Sequence, residues 1–189
     1  MSLQPTAWQT VGPYFQIGLE RLFVNDIAGA GVHGERVAVH GRVFDGAGMA
    51  IPDAVIEIWQ ANSAGKYAHP EDHEDKPLEQ GFRGFGRIPT DEGGNFRFST
   101  IKPGSVRGPL GKPQAPHLVV NLMMRGLLRG LVTRAYFPDE ETISSDPILQ
   151  LVEPARRSTL VLKRSPDHSS LFHWDVRMQG DEETVFFDF

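Results

Sequence analysis

The sequence contains no cysteine among its 189 residues, which excludes disulfides, zinc–thiolate sites, iron–sulfur clusters and thiol nucleophiles. Basic residues are also outnumbered, 19 against 24 acidic ones, and the formal net charge of −5 argues against nucleic acid as a partner. No apolar run approaches the ~20 residues that a membrane span needs. The N-terminus lacks a basic region followed by an apolar run, so we expect no signal peptide and a cytoplasmic protein.

Amphipathic helical periodicity is nearly absent as well, whereas 20 glycines and 14 prolines are scattered along the chain. Short runs rich in β-branched and aromatic residues, for example residues 54–60, 95–99 and 131–137, predict strands, and turn residues recur about every ten positions. The predicted fold class is all-β. We expect a β-sandwich of two mainly antiparallel sheets with long loops, an extended N-terminal arm and little helix.

Two regions follow from this pattern. Residues 1–34 form the predicted N-terminal arm, which has no helical period and ends in a small, flexible loop from Ile27 to Gly34. Residues 35–189 form the predicted sandwich domain. The last six residues, Thr184–Phe189, are unusually apolar for a terminus, and we expect them to be packed.

One histidine begins a strand that two prolines introduce. Residues that precede proline favour extended geometry, so the segment from Lys112 to Leu122 predicts a strand in which His117 and Val119 share one face. The pattern alone leaves three roles open for His117: metal ligand, acid–base group or polar residue at a strand end.

Other polar residues are less informative. His69 and His73 lie four apart in an acidic loop, where a metal site is conceivable but a solvated loop is the favoured interpretation. Three arginines follow the His117 strand, namely Arg125, Arg129 and Arg134. They are either surface residues or include one that recognises a carboxylate through its planar guanidinium fork. The sequence has no Gly-x-Ser-x-Gly elbow and no glycine-rich phosphate loop.

Several motifs, taken together and in order, resemble those of the intradiol ring-cleaving dioxygenases. Those that carry the resemblance are Thr10–Tyr14, Val43–Tyr67 and Thr100–His117. Three more narrow it to members that serve as the α chain beside a catalytic β chain: Arg125–Gly126, Thr133–Phe137 and 179–188.

The resemblance implies a non-haem Fe(III) held by two tyrosines and two histidines, hard ligands that suit this ion. The four corresponding positions here are Tyr67, Ser105, His117 and Val119. Two of them have lost their metal-binding side chain, so we interpret all four as vestigial and expect no metal in this chain. Tyr67 and His117 are expected to hydrogen-bond to each other or to water.

The resemblance further implies that the partner β subunit binds the Fe(III), in an αβ protomer that assembles into a higher oligomer. The reaction implied is the O2-dependent cleavage of protocatechuate (3,4-dihydroxybenzoate) to 3-carboxy-cis,cis-muconate. This chain alone would carry no catalytic residue. Its arm would pack on the partner, and the substrate-binding residues implied are Thr10, Gly12, Pro13, Tyr14 and Arg125.

Two alternatives remain at this point. The chain could be a non-catalytic β-sandwich binding module without a dioxygenase partner, since the strand pattern suits such modules generically. It could also be a homomeric catechol or hydroxyquinol dioxygenase, but the resemblance implies that such a chain would keep all four iron ligands and a helical N-terminal dimerisation segment.

Overall fold

The computed structural model of the chain describes residues 4–188, so residues 1–3 of the predicted arm and Phe189 of the predicted tail lie outside the described part. Eleven strands lie within the described part: β1 Arg36–Phe44, β2 Val55–Trp59, β3 Phe85–Pro89, β4 Asn95–Ile101, β5 Val106–Arg107, β6 Pro113–Gln114, β7 His117–Met123, β8 Leu131–Tyr136, β9 Lys163–Arg164, β10 Leu171–His173 and β11 Val176–Arg177.

Helix is scarce in the same residues. The one α-helix described there is α1, Tyr14–Gly18; the 3-10 helices are Glu20–Leu22, Pro109–Gly111, Glu141–Ser145, Leu149–Leu151 and Pro154–Leu160. No helix among the described residues is long and apolar enough to cross a membrane. The all-β prediction is confirmed.

The sandwich is built from two sheets. In one sheet β1 pairs with β4 in antiparallel register, and with the short strands β10 and β11 in parallel register. The other sheet has the order β3-β2-β7-β8 and is antiparallel throughout. The register of this second sheet sets Trp59 of β2 and Arg134 of β8 on either side of Val119 in β7.

The core lies between the sheets, where inward-facing side chains alternate with outward-facing ones. On β7, Leu118, Val120 and Leu122 are buried in the main apolar cluster, against residues such as Val39 and Phe172 of the other sheet. Each such side chain contributes roughly 1.5–3 kcal/mol when it is fully buried. Val119 therefore lies on the opposite face of β7, away from this cluster.

The arm differs from its prediction in two ways. Residues 14–18 form the short helix α1, and Ile27, which was expected in a flexible loop, is fully buried in the main core. The backbone N–H of Ile27 donates to the Ser99 carbonyl at 2.9 Å, and Val24 forms a β-bridge with Arg87. The inner part of the predicted arm is thus held by the sandwich, whereas its outer part exposes apolar side chains.

The apolar tail is packed, as predicted, over its described residues. Phe187 forms a β-bridge with Val132 of β8, and Val185 and Phe187 pack against a second apolar cluster that contains Tyr136 and Leu160. Backbone hydrogen bonds and apolar contacts therefore tie the end of the chain to the outer edge of the second sheet.

Candidate functional site

His117 is buried at the first residue of β7. Its Nδ1 lies 2.7 Å from the Ala115 carbonyl oxygen, and because a carbonyl only accepts, Nδ1 carries the proton and donates. Burial, and secondarily the nearby charge of Arg134, lowers the pKa of His117 to about 4. The imidazole is therefore neutral near pH 7, and its ring packs beside Tyr136 with centroids 5.6 Å apart.

Tyr67 is positioned by a tight turn after β2. Asn62 Oδ1 accepts hydrogen bonds from the backbone N–H groups of Ala64 and Lys66. Between them, Gly65 has a φ of +78°, and a Cβ there would lie 2.0 Å from the Ser105 carbonyl oxygen, so only glycine fits. The turn places Tyr67 against the second sheet, on the face that carries the Trp59 side chain.

The Tyr67 ring stacks on Trp59, with centroids 6.0 Å apart and planes only 7° from parallel. Burial raises the pKa of Tyr67 above its ordinary value, so the phenol keeps its proton. Among the described residues no hydrogen bond joins Tyr67 to His117. Of the two expected arrangements, the direct bond between Tyr67 and His117 is not formed, and the ring beside His117 is that of Tyr136.

The other two vestigial positions hold no metal-binding group. The Ser105 hydroxyl donates to the Gln114 carbonyl at 2.7 Å, and Val119 is apolar. Within residues 4–188, no group of three or more histidine, aspartate or glutamate side chains could hold a metal ion. The residues at these four positions do not fit a ferric ion, because they offer one phenol and one imidazole where four ligands are needed.

The acidic loop after Tyr67 borders a cavity of about 820 Å³. Its polar side chains bond within the loop: Asp72 accepts from the backbone N–H groups of Tyr67 and Glu74 and from the Lys66 ammonium. Burial opposes ionisation of Asp72, but these hydrogen bonds outweigh it and keep its pKa below the ordinary value. His69 meets the Trp59 ring edge-on at 5.9 Å. Hydrogen bonds within the loop and ring packing against Trp59 therefore explain the positions of these polar residues.

A different arrangement forms at the other end of β7. The Thr10 hydroxyl accepts a hydrogen bond from the Gly126 backbone N–H at 2.9 Å and lies 3.5 Å from the Met124 carbonyl oxygen. The arm is thereby fixed on the turn between β7 and β8, although 116 positions separate Thr10 from Gly126. Two predicted substrate-binding residues, Thr10 and Arg125, are neighbours because of this contact.

The remaining three predicted residues lead from Thr10 into α1. Gly12 adopts a left-handed φ of +64°, which reverses the chain, and Pro13 precedes the first helical residue. Tyr14 is 79% exposed. Gln16, which the sequence analysis missed, donates its amide to the Thr90 carbonyl at 2.8 Å and so fixes the helix on the sandwich.

Arg125 forms an ion pair that also escaped the sequence analysis. Its Nε lies 2.8 Å from Oδ2 of Asp53, and the side chains are 61% and 10% exposed respectively. Neither Asp53 oxygen has a well-aligned hydrogen bond among the described residues, so the contact is a charge pair rather than a directed bond. The guanidinium is paired at its inner nitrogen, and most of the Arg125 side chain is exposed to solvent.

The vestigial positions and the arm-and-turn surface are far apart. His117 begins β7 and Arg125 lies two residues beyond its last residue, Met123, and the six residue steps of this strand at about 3.3 Å each span about 20 Å. The predicted substrate-binding residues therefore form a surface of their own, defined here as the arm–turn surface: Thr10, Gly12, Pro13, Tyr14 and Arg125.

Comparison with known proteins places this geometry in a family. A family model described as "Dioxygenase" matches residues 20–180. The chain belongs to the intradiol dioxygenase family. It is 42% identical to the protocatechuate 3,4-dioxygenase alpha chain of Burkholderia cepacia, over 99% of this chain and 98% of the relative.

Two further comparisons extend the result. This intradiol dioxygenase chain is also 38% identical to the protocatechuate 3,4-dioxygenase beta chain of Burkholderia cepacia, over 80% of this chain and 67% of the relative. Among solved structures, the dioxygenase domain of a carbohydrate-binding fusion from Streptomyces sp. SirexAA-E superposes with a TM-score of 0.63 at 22% identity, covering 86% and 89% of the two chains. The latter supports the fold alone.

Family membership confirms the predicted enzyme class. Intradiol dioxygenases are iron-dependent oxidoreductases that cleave an aromatic ring, and this chain has the β-sandwich fold of that family. The reading as a generic binding module does not account for a relative matched over 99% of the chain.

Proposed function

We propose that this chain is the α chain of a protocatechuate 3,4-dioxygenase and that it completes an active site whose iron is bound by a β chain. The residues at its own four family positions do not fit iron, while both α and β chains occur among its relatives. The substrate proposed is 3,4-dihydroxybenzoate, with O2 as co-substrate and 3-carboxy-cis,cis-muconate as product.

One observation carries this proposal. The Thr10–Gly126 hydrogen bond fixes the arm beside Arg125 and gathers a rigid turn, an aromatic ring and a cation on one exposed surface. An anionic benzoate needs a positive charge for its carboxylate and an apolar wall for its ring. The arm–turn surface offers both, and Tyr14 and Arg125 are 79% and 61% exposed, which favours a second chain as the other wall.

Exposed apolar side chains on the outer arm support the same arrangement. Trp8 is 71% exposed, and Val11, Tyr14, Ile17 and Leu22 are also exposed. Several large exposed apolar side chains within one short segment are typical of a protein–protein interface. We therefore propose that the outer arm packs on the β chain, within an αβ protomer of a larger oligomer.

The proposed roles of this chain are binding and orientation. Gly12 and Pro13 form a rigid backbone wall, Tyr14 provides an aromatic edge with a hydroxyl, and Arg125 attracts the carboxylate of the substrate. Holding the ring in place would reduce the entropy lost when the reacting groups meet. The ferric ion of the β chain would supply the redox chemistry. A cytoplasmic location remains a prediction.

The direct test is co-expression of this chain with a β chain, followed by measurement of iron content and of oxygen uptake with protocatechuate. We expect an active, iron-containing complex, and an inactive chain when it is purified alone. Arg125→Ala should raise KM with little change in kcat, because the lost charge binds the substrate before any bond changes. Arg129→Ala is the control, since Arg129 lies on the same turn but pairs with Asp188 of the tail. Failure of the two chains to associate would overturn the proposal.

A further inference from the structure

Arg134 lies where the second sheet brings the vestigial positions together. In the register of β2, β7 and β8, Arg134 is directly opposite Val119, and Val119 is opposite Trp59. Directly opposite residues project from the same face of a sheet. Tyr67 lies over this face because its ring stacks on Trp59, and the next pair on the same face is His117 and Tyr136.

The guanidinium of Arg134 is held within this group by neutral partners. Its Nη1 donates to Gln114 Oε1 at 2.6 Å and lies 3.4 Å from the Tyr136 hydroxyl. Its Nε is buried and has no hydrogen-bond partner among residues 4–188. No carboxylate in the described part of the chain forms an ion pair with it. A buried donor without a partner is costly, so this placement is not explained by local hydrogen bonding alone.

A buried carboxylate balances the positive charge of Arg134 indirectly, through one bridging side chain. The Tyr136 hydroxyl accepts from Arg134 and donates to Asp146 Oδ1 at 3.0 Å. Asp146 is fully buried and also accepts from the backbone N–H groups of Ala115, Ile148 and Leu149. The cation and the buried anion are thus bridged by one phenol. Burial raises the pKa of Tyr67 and of Tyr136 and lowers that of His117, and the nearby charge of Arg134 opposes the rise at both tyrosines and adds to the fall at His117.

We infer that Arg134 serves as a built-in cation that takes the place of a metal ion between Tyr67, His117 and Val119, and that its charge, beside the loss of ligands, keeps this site free of metal. A metal cation would add two or three like charges within a few ångströms of the guanidinium, in a setting where water screens them poorly. The inference concerns this chain's own residues and holds whether or not the proposed partnership with a β chain is correct.

The test restores a ligand with and without the arginine. Val119→His places an imidazole beside His117 on the same face of β7, and Co(II) is the probe, because histidine coordination gives visible absorption and the affinity is measurable by calorimetry. We expect the full-length V119H variant to bind Co(II) at least about a hundredfold more weakly than V119H/R134Q, because a nearby like charge disfavours the cation. V119H/R129Q is the matched control and should behave as V119H does, since Arg129 pairs with Asp188.

Two further variants separate charge from shape. V119H/R134K keeps the positive charge and should bind Co(II) as weakly as V119H does. V119H/R134M removes the charge at similar length and should bind tightly, which also covers a folding failure of V119H/R134Q. Circular dichroism and thermal unfolding establish that each variant is folded. The inference is wrong if V119H binds Co(II) as tightly as the charge-free double variants. It is equally wrong if the folded charge-free variants bind none, or if V119H/R134K binds as they do.

Discussion

The Arg125 guanidinium is held at its inner nitrogen by a buried carboxylate, with Nε 2.8 Å from Asp53 Oδ2. Asp53 lies on the loop that leads into β2, and the Arg125 turn joins β7 to β8, so the pair links two segments that are 72 positions apart. A guanidinium whose Nε faces a carboxylate leaves its two terminal nitrogens available, and these two nitrogens can bind another carboxylate in bidentate geometry.

Replacement of Asp53 tests whether this pairing orients Arg125 for substrate. In the proposed complex with a β chain, we expect Asp53→Asn to raise KM for protocatechuate roughly three- to tenfold with kcat nearly unchanged, since a mobile guanidinium loses about 1 kcal/mol of binding. Steady-state kinetics measures both constants. Asp188→Asn is the control, because it breaks the exposed ion pair with Arg129 instead. An equal KM in the Asp53 variant and the wild type would show that Arg125 needs no such support.

The Thr10 hydroxyl should determine how firmly the arm is attached. Thr10→Val keeps the shape of the side chain but removes the acceptor for the Gly126 N–H, a loss typically of about 0.5–1.5 kcal/mol. We expect faster hydrogen exchange at the Gly126 amide and faster proteolysis within the arm, with little change in global stability. Thr6→Val is the control, because Thr6 is exposed on the same arm. If the Gly126 amide exchanged at the same rate in both variants, the bond would not be what holds the arm.

The strand pattern predicted the sandwich well because its signal is local. Leu118, Val120 and Leu122 alternate with the residues on the other face of β7, and burial of all three follows from the two-residue period of a strand. The helix α1 could not be predicted in the same way. It has only five residues, too few to be stable alone, and it depends on the tertiary contact between Gln16 and Thr90.

In the candidate site, too, local features could be predicted from the sequence and tertiary contacts could not. The resemblance to a family identified Ser105 and Val119 as positions without a metal-binding side chain. The partners of the arginines are tertiary, however, and have no sequence signal. Arg129 is a surface residue, as one interpretation predicted. Arg134 is not an ordinary surface residue: it bonds to Gln114 and Tyr136, and no carboxylate among residues 4–188 pairs with it. No sequence pattern indicated that Asp53 belongs to the site.

His117 should make the stability of the fold depend on pH. Its pKa is about 4 in the folded state and near 6.5 in an unfolded chain, so the unfolded state binds the proton first as the pH falls. Stability is therefore complete above about pH 6.5 and declines towards pH 4. The decline from this residue alone is roughly 3 kcal/mol, from about 1.4 kcal/mol per pH unit. Urea unfolding at a series of pH values measures it.

His117→Gln should flatten this decline, whereas His168→Gln should leave it in place because His168 is exposed in the loop before β10. A profile of unchanged steepness in the His117 variant would mean that other groups cause the loss of stability in acid. The comparison is made on slopes rather than on absolute stabilities, because His117→Gln also removes the hydrogen bond to the Ala115 carbonyl.

The Tyr136 hydroxyl should be important for stability because it joins a buried carboxylate to a cation. Tyr136→Phe leaves the ring in place but removes the donor to Asp146 Oδ1 and the acceptor for Arg134. Asp146 is fully buried, and a buried group that loses one hydrogen bond destabilises a fold by about 1–3 kcal/mol. We expect a loss of that size in urea unfolding. Tyr14→Phe is the matched control, since the Tyr14 side chain is 79% exposed and should leave stability unchanged. Equal stabilities of the two variants would show that the three remaining hydrogen bonds to Asp146 suffice and that the link from Asp146 to Arg134 contributes little.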